Sequence, residues 1–294
     1  MFDQLRAFHR PTSVATALRL FDIERRAGGR GRFVAGGTDL VVQSDRSLRW
    51  LVDLGKLPLR YVKKRGAGWA IGATATMSDL EQAAGLKRFA DGILAEAAGT
   101  AGSPQIRNMG TIGGNLANAS PACDLAPPLL VLDASVVVVG RGGRRTVAID
   151  RFFRGVHRTA LGGGLLAEIV IPPAPKAGRG RAAWSFQKLG RLQSDIALVN
   201  AAVGVVLDEA GRCTRARIAL GAVAATPIRA RRAEALLTGR PLDAAAIAAA
   251  ADRAARDTRP VTDVRASADY RREMSRVLVA RALAECLERT GRGR

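Results

Sequence analysis

Two glycine-bearing turns hold the residues of this chain whose types and spacing best suit chemistry. The first is Val34-Ala35-Gly36-Gly37-Thr38-Asp39-Leu40. Paired glycines reach positive φ without a Cβ penalty, so successive amides can converge on an anion, and a short helix beginning near Thr38 would add its dipole. The second is Gly110-Thr111-Ile112-Gly113-Gly114-Asn115, continuing through Ser120 to Asp124. It supplies hydroxyl, amide and carboxylate side chains able to grip a polyol beside a pyrophosphate. Two such turns can clamp an extended dinucleotide between them. Each also has a purely structural reading: a strand-turn-helix junction for the first, and for the second an Ω-loop tied by its own Asn and Ser side chains. Neither is a Walker A loop or a G-x-G-x-x-G fingerprint, because the required lysine and glycine spacing are missing.

Other chemistries lack their residues. The chain has two histidines, His9 and His157, in unrelated surroundings, with no Ser/His/Asp arrangement and no H-x-x-x-H pair. Its three cysteines, Cys123, Cys213 and Cys286, are far apart, which argues against a metal site, a disulfide framework or an iron–sulfur cluster bound by four thiolates. Any redox chemistry must therefore come from a cofactor.

The elements that would position these turns follow from period and punctuation. Residues 15–26 have helical apolar spacing and end in the glycine run 28–31; a strand at 32–35 then feeds the first turn. Residues 61–64 and 69–73 predict a hairpin across Arg65-Gly66-Ala67-Gly68. Ser78 and Glu81 match a capping box, so a helix is expected from Asp79, followed by another over 93–100. Residues 102–121 show no periodicity and are expected as a long functional loop. Strands are expected at 135–139 and 165–171. Pro172-Pro173-Ala174-Pro175 marks a linker, dividing the chain into residues 1–177 and 178–294. Beyond it, strands at 182–189, 196–207 and 215–222 form an antiparallel sheet, with helices at 229–237, 244–256 and 268–289. The last helix is expected to bury Tyr270, Met274, Val277, Leu278 and Leu287 and to turn Arg271, Arg272, Arg276 and Arg281 mostly to solvent.

Composition limits the functional classes. With 294 residues, 48% hydrophobic and 24% charged, the chain has ample material for a core. The net charge is +20, but the excess is spread evenly: each side of the linker contributes +10. Of the 46 basic residues only 6 are lysine, and aromatic residues make up 4%, so nucleic-acid binding is not expected; an acidic partner or anionic cofactor suits this surface better. No membrane span or secretory h-region is apparent, and the expectation is a soluble, cytoplasmic protein.

Three stretches carry a resemblance: residues 33–40 with Ala-Gly-Gly-Thr-Asp-Leu, residues 111–115 with Thr-Ile-Gly-Gly-Asn, and Ser120-Pro121 followed by Asp124-Leu125. Together they resemble the FAD-binding medium subunit of the xanthine dehydrogenase and carbon monoxide dehydrogenase family of molybdenum hydroxylases. After the linker, Phe186-Gln187-Lys188-Leu189, Asp195-Ile196-Ala197 and Ala268-Asp269-Tyr270-Arg271 extend the resemblance over nearly the whole chain. It implies an α+β fold: a p-cresol methylhydroxylase-type FAD-binding domain of two α/β subdomains, then a C-terminal α+β domain with an antiparallel sheet and helices. The backbone of Val34 to Thr38 and of Gly110 to Gly114 would cradle the pyrophosphate. Asp39 and Leu40 would line the same turn, with Asp39 accepting from amides or adenosine hydroxyls. Asn115, Ser120 and Asp124 would hold polar parts of the flavin half, Lys188 would lie toward the isoalloxazine, and Leu166 would pack on the ring system. Cys123 stands at a position expected to vary, either as a flavin neighbour or as a small buried residue. The implied partners are a large molybdopterin-binding subunit and a small subunit with [2Fe-2S] clusters, in a heterotrimer or a dimer of heterotrimers. A [4Fe-4S] insertion found in some relatives is not possible with three scattered cysteines. The alternatives are a free-standing FAD-dependent reductase of the same fold, for which no acid or base is apparent beside the flavin, and a basic binding module with structural glycine turns.

Overall fold

The computed structural model describes residues 4–291. The chain opens with β1 (Ala7–His9), α1 (Val14–Ala27), β2 (Arg30–Val34), α2 (Thr38–Gln43) and β3 (Leu48–Asp53). These three strands form a parallel sheet in the order β1-β3-β2, as strand-helix alternation dictates. Helix α1 is capped by the Ser13 hydroxyl and covers the sheet, stacking Phe21 on Phe33 at 4.3 Å between ring centroids.

A second subdomain begins with the hairpin β4 (Val62–Arg65) and β5 (Gly68–Gly72), closed by Gly66 at φ +59°. It continues through α3 (Met77–Gln82), α4 (Ala84–Arg88), α5 (Ile93–Gly99), α6 (Pro104–Met109), α7 (Ile112–Asn118) and α8 (Ala126–Val131). Then follow β6 (Ser135–Gly140), β7 (Gly143–Ala148), the short pair β8 (Phe153–Gly155) and β9 (Arg158–Thr159), and β10 (Leu165–Ile171). Strand β10 threads into the middle of a five-stranded antiparallel sheet, β4-β5-β10-β6-β7.

The C-terminal part has β11 (Arg181–Leu189), β12 (Val199–Leu207), β13 (Cys213–Gly221) and β14 (Ile228–Arg229) in one antiparallel sheet. Helices α9 (Arg231–Leu237), α10 (Ala244–Arg256) and α11 (Ala268–Gly291) cover one face of it. The other face packs on the second subdomain: Trp184, Phe186, Ala202 and Ala219 join the same core as Ile71, Leu94, Leu129 and Val136. All nine residues of β12 are buried, because this strand is covered on both sides. The Trp184 amide donates to Asp91 at 2.9 Å, and Arg229 reaches the Leu130 carbonyl, Asp133 and Glu234, tying the two parts together.

Several expectations are corrected. The helix expected from Asp79 starts at Met77, since the capping box is Thr76 with Asp79 and not Ser78 with Glu81. The hydroxyl-x-x-carboxylate spacing occurs twice in register, and Arg60, at 2.8 and 3.0 Å from the Asp79 oxygens, engages the first of the two. The aperiodic segment 102–121 contains α6 and α7, capped by Ser103 and Thr111. Such short helices depend on caps and neighbours, so apolar periodicity does not reveal them. Strand β12 begins at Val199 instead of Ile196, whose side chain is exposed. In α11, Tyr270 and Leu287 are exposed, whereas Leu278, Val279, Ala282, Leu283 and Cys286 are buried together with Arg271 and Ser275. The Arg271 guanidinium leaves the solvated face to donate to the Leu198 and Ala222 carbonyls and to Asp263.

Candidate functional site

The first glycine turn follows β2, where the Val34 carbonyl accepts from the Leu54 amide at 2.8 Å. Gly37 takes φ +70° as the N-cap of α2 and offers no capping side chain. The amides of Gly36, Gly37, Thr38, Asp39 and Leu40 find no acceptor among the described residues; the turn's internal bond runs from the Val41 amide to the Gly37 carbonyl. Asp39 stands at the mouth of this turn. Desolvation pushes its carboxyl up from the ordinary carboxylate range, and His157 opposes the rise.

The second turn is held from behind. Ile112 and Gly113 donate to the Ala75 and Ala73 carbonyls, each at 2.9 Å, Gly114 donates to the Thr111 hydroxyl at 3.0 Å, and Gly110 donates to Ile106. Asn115 closes on the Thr111 carbonyl. Of the run from Gly110 to Asn115, the Thr111 amide alone finds no acceptor among the described residues. The two turns touch: a Cβ on Gly36 would stand 1.8 Å from the Met109 carbonyl oxygen, and Gln43 donates to Asn118 at 2.9 Å. Ala35 packs behind the first turn with Phe33 and Leu54, and Leu40 is buried against Leu48 and Leu51.

Asn115 carries the site toward the C-terminal sheet. The Cys123 thiol donates to its Oδ1 at 2.7 Å, and burial, then the Asp124 charge, pushes that thiol well above its usual range, so it is a neutral donor and not a nucleophile. The Ser120 hydroxyl accepts from the Ala122 amide at 3.3 Å, fixing the turn that delivers Asp124. Asp124 is 7% exposed. Its Oδ2 accepts from Lys188 Nζ at 2.9 Å and its Oδ1 from Asn200 Nδ2 at 3.0 Å; Lys188 also donates to the Thr100 carbonyl at 2.7 Å. Burial drives the Asp124 carboxyl up from its ordinary range, and Lys188 and Asn200 offset that rise only in part.

The structure thus links the expected site residues from the two turns to Lys188 through contacts; Leu166 is 5% exposed, pairs with Val138 across β10 and β6, and shares the large core with Ile112 and Cys123. Asn200 was not anticipated. Its one sequence signal is an amide side chain within an otherwise apolar nine-residue strand. Neither histidine has a catalytic partner set: His9 pairs with Glu24, and His157 Nδ1 meets the Asn118 carbonyl. Among the described residues no group of three or more His, Cys, Asp or Glu is placed to hold a metal ion, and no helix is long and apolar enough to cross a membrane.

Comparison with known proteins gives this arrangement its family. Residues 2–174 match the family described as the FAD binding domain in molybdopterin dehydrogenase, and residues 184–286 match the CO dehydrogenase flavoprotein C-terminal domain. The chain is 37% identical over 284 residues to the 6-hydroxypseudooxynicotine dehydrogenase complex subunit alpha of Paenarthrobacter nicotinovorans, covering 94% of this chain and 93% of that one. It is 34% identical to the carbon monoxide dehydrogenase medium chain of Hydrogenophaga pseudoflava, covering 94% and 95%. A solved structure of carbon monoxide dehydrogenase from that organism superposes with a TM-score of 0.91 at 33% identity, over 99% of this chain and 100% of that one. The chain therefore belongs to the FAD-binding medium subunits of the molybdopterin-dependent dehydrogenases, the oxidoreductase family that includes carbon monoxide dehydrogenase and xanthine dehydrogenase.

Proposed function

We propose that this chain carries electrons from an iron–sulfur partner subunit, through FAD, to an external acceptor, while substrate is oxidised in a large molybdopterin-binding subunit. The observation that carries this reading is the run of five amides, Gly36 to Leu40, without an acceptor among the described residues, set beside a second turn whose amides are nearly all engaged. Such a run fits a pyrophosphate: it offers successive donors at a helix start, where Gly37 takes φ +70° and Gly36 lets the second turn close in behind.

Bound FAD would supply the redox chemistry at its ring system. The chain's own residues would do the rest. The backbone of Val34 to Leu40 would take the pyrophosphate, with the Thr111 amide as a further donor, and Asp39 would accept from adenosine hydroxyls. Gly110, Ile112, Gly113 and Gly114 would keep the second turn close behind it. Asn115, Ser120 and Asp124 would orient the polar flavin half, Lys188 would hold a positive charge on the isoalloxazine side, and Leu166 would contribute an apolar wall. A cation there favours added electron density on the ring.

The same reading has the chain assemble with a large molybdopterin subunit and a small [2Fe-2S] subunit, as a heterotrimer or a dimer of heterotrimers in the cytoplasm; relatives named as a complex subunit alpha and as medium chains support a multi-subunit assembly. A surface of net charge +20 suits partners with acidic faces. The domain division at 177/178 belongs to the same reading. The test is an absorption spectrum of the chain alone and of the complex purified from its native host, with released cofactors identified by chromatography. FAD in both samples, with iron and molybdopterin only in the second, is the expected result. A colourless chain that takes up no added FAD would overturn it.

A further inference from the structure

The register of the C-terminal sheet sets Lys188 in a row with two residues that the flavin reading does not use. Lys188 on β11 is paired directly with Asn200 on β12, and Asn200 directly with Gly221 on β13. Odd-numbered residues of β12 face the helices α9–α11, so Asn200 and Ala202 point the other way, toward the FAD-binding part. Lys188 and Asn200 then converge on one carboxylate, with Lys188 on Asp124 Oδ2 and Asn200 on Asp124 Oδ1.

Three features say that this amide is there for Asp124. A carboxylate only accepts, so Asn200 has to present Nδ2 to it, and its own Oδ1 is left buried without a donor. Asn200 is 0% exposed, in a strand where an apolar side chain would pack on both faces without leaving a polar atom unpaired. Gly221 has made room, since a Cβ there would stand 2.2 Å from Asn200 Oδ1.

We propose that Asn200 is a positioning residue that holds the Asp124 carboxylate ionised and turned toward Lys188, so that the Lys188 ammonium is fixed on the flavin side of the site. This rests on the FAD reading above. The charged and titratable groups around it are Lys188 from β11, Asp124 and the neutral Cys123 thiol from the loop before α8, Arg271 from α11 on the Leu198 and Ala222 carbonyls with Asp263, and more distantly Asp39 on α2 with His157 beyond it. All of these are common to wild type and variants, so a comparison of the profiles reads the substitution.

The test uses Asn200→Asp, which keeps the shape. Its carboxyl donates to Asp124 when protonated and repels it when ionised. The dissociation constant of FAD from the chain is measured by fluorescence between about pH 5 and about pH 9, together with thermal unfolding. The expectation is that Asn200→Asp binds FAD nearly as the wild type does at the acid end and about tenfold or more weakly at the alkaline end, relative to the wild-type profile. Asn200→Val, which cannot ionise, is the control should the first variant unfold. It is expected to stay folded but to weaken FAD binding throughout and to gain a protonation step, because Asp124 has lost a donor. An Asn200→Asp profile parallel to wild type, or Asn200→Val indistinguishable from wild type, overturns the assignment. Failure of the wild-type chain itself to bind FAD would instead remove the flavin reading, and this inference with it.

Discussion

The turn at Gly36–Leu40 and the turn at Gly110–Asn115 are alike in composition and opposite in hydrogen bonding. In the first, five successive amides have no acceptor among the described residues; in the second, Gly110, Ile112, Gly113, Gly114 and Asn115 all donate to protein oxygens. Their glycines also differ in what they avoid. Gly36 admits the Met109 carbonyl, so it brings the second turn against the first, while Gly113 admits the Ala73 carbonyl and anchors the second turn to the strand behind it. A glycine-rich sequence is therefore not in itself an anion site. It becomes one where the surrounding chain leaves its donors unclaimed, and here one turn offers donors while the other is its backstop.

The largest effect is expected from Gly36→Ala. A methyl group 1.8 Å from a backbone oxygen cannot be relieved by a rotamer change, so the two turns must separate. FAD affinity should fall at least about a hundredfold, roughly 3 kcal/mol, measured as flavin retained per chain after gel filtration. Unchanged flavin content would mean that the contact between the turns is irrelevant to binding.

Gly113→Ala should separate the two roles. Its Cβ would meet the Ala73 oxygen at 2.5 Å and the Ala73 Cβ at 2.7 Å, an overpacking cost of about 1–3 kcal/mol. The melting temperature should drop by roughly 2–8 °C, with the folded fraction keeping its FAD affinity within about threefold. A selective loss of FAD with no change in melting would show that Gly113 itself lies against the flavin and is not part of the backstop.

A smaller effect concerns acid. The Gly110 carbonyl accepts from the Met77 amide at the start of α3, and that start is held by Asp79. Burial tends to raise the Asp79 carboxyl, but Arg60 and the Thr76 amide and hydroxyl outweigh it and hold it below its ordinary value of 3.8. Its contribution is present above the unfolded value and is lost as pH falls through the folded one. With Arg60 well exposed, the contribution is less than about 1 kcal/mol. Asp79→Asn should remove that much stability at neutral pH, and the difference from wild type should shrink below about pH 4, as read by denaturant titration at a series of pH values. A constant difference would assign the role of Asp79 to shape alone.

Local rules served best where local forces dominate. The helix at Ala244–Arg256 was legible to the residue, since alanine-rich sequence and an Asp243 side-chain cap need no help from elsewhere. Strands β10 and β13 were read within two residues from their β-branched and apolar runs. Misreadings fell where distant groups compete. Thr76 wins the capping of α3 through Asp79, which also engages Arg60; α6 buries none of its residues and depends on its Ser103 cap, while α7 buries only the Ile112 and Leu116 side chains, too short a stripe to stand out as a period. Arg271 is buried because two carbonyls and Asp263 await it at the end of the sheet.

By itself the amino-acid sequence determined the α+β class, the two glycine turns, the longer helices and strands around them and the family to which they belong, because these depend on residue type and short-range spacing. The tertiary structure alone decided which turn keeps its amides free, and that Lys188, Asn200 and Gly221 form one row beneath Asp124. Hydrogen-bond saturation and strand register are set by partners far along the chain: Ala73 for Gly113, Asp124 for Lys188 and for Asn200. No local pattern encodes whether such a partner will arrive.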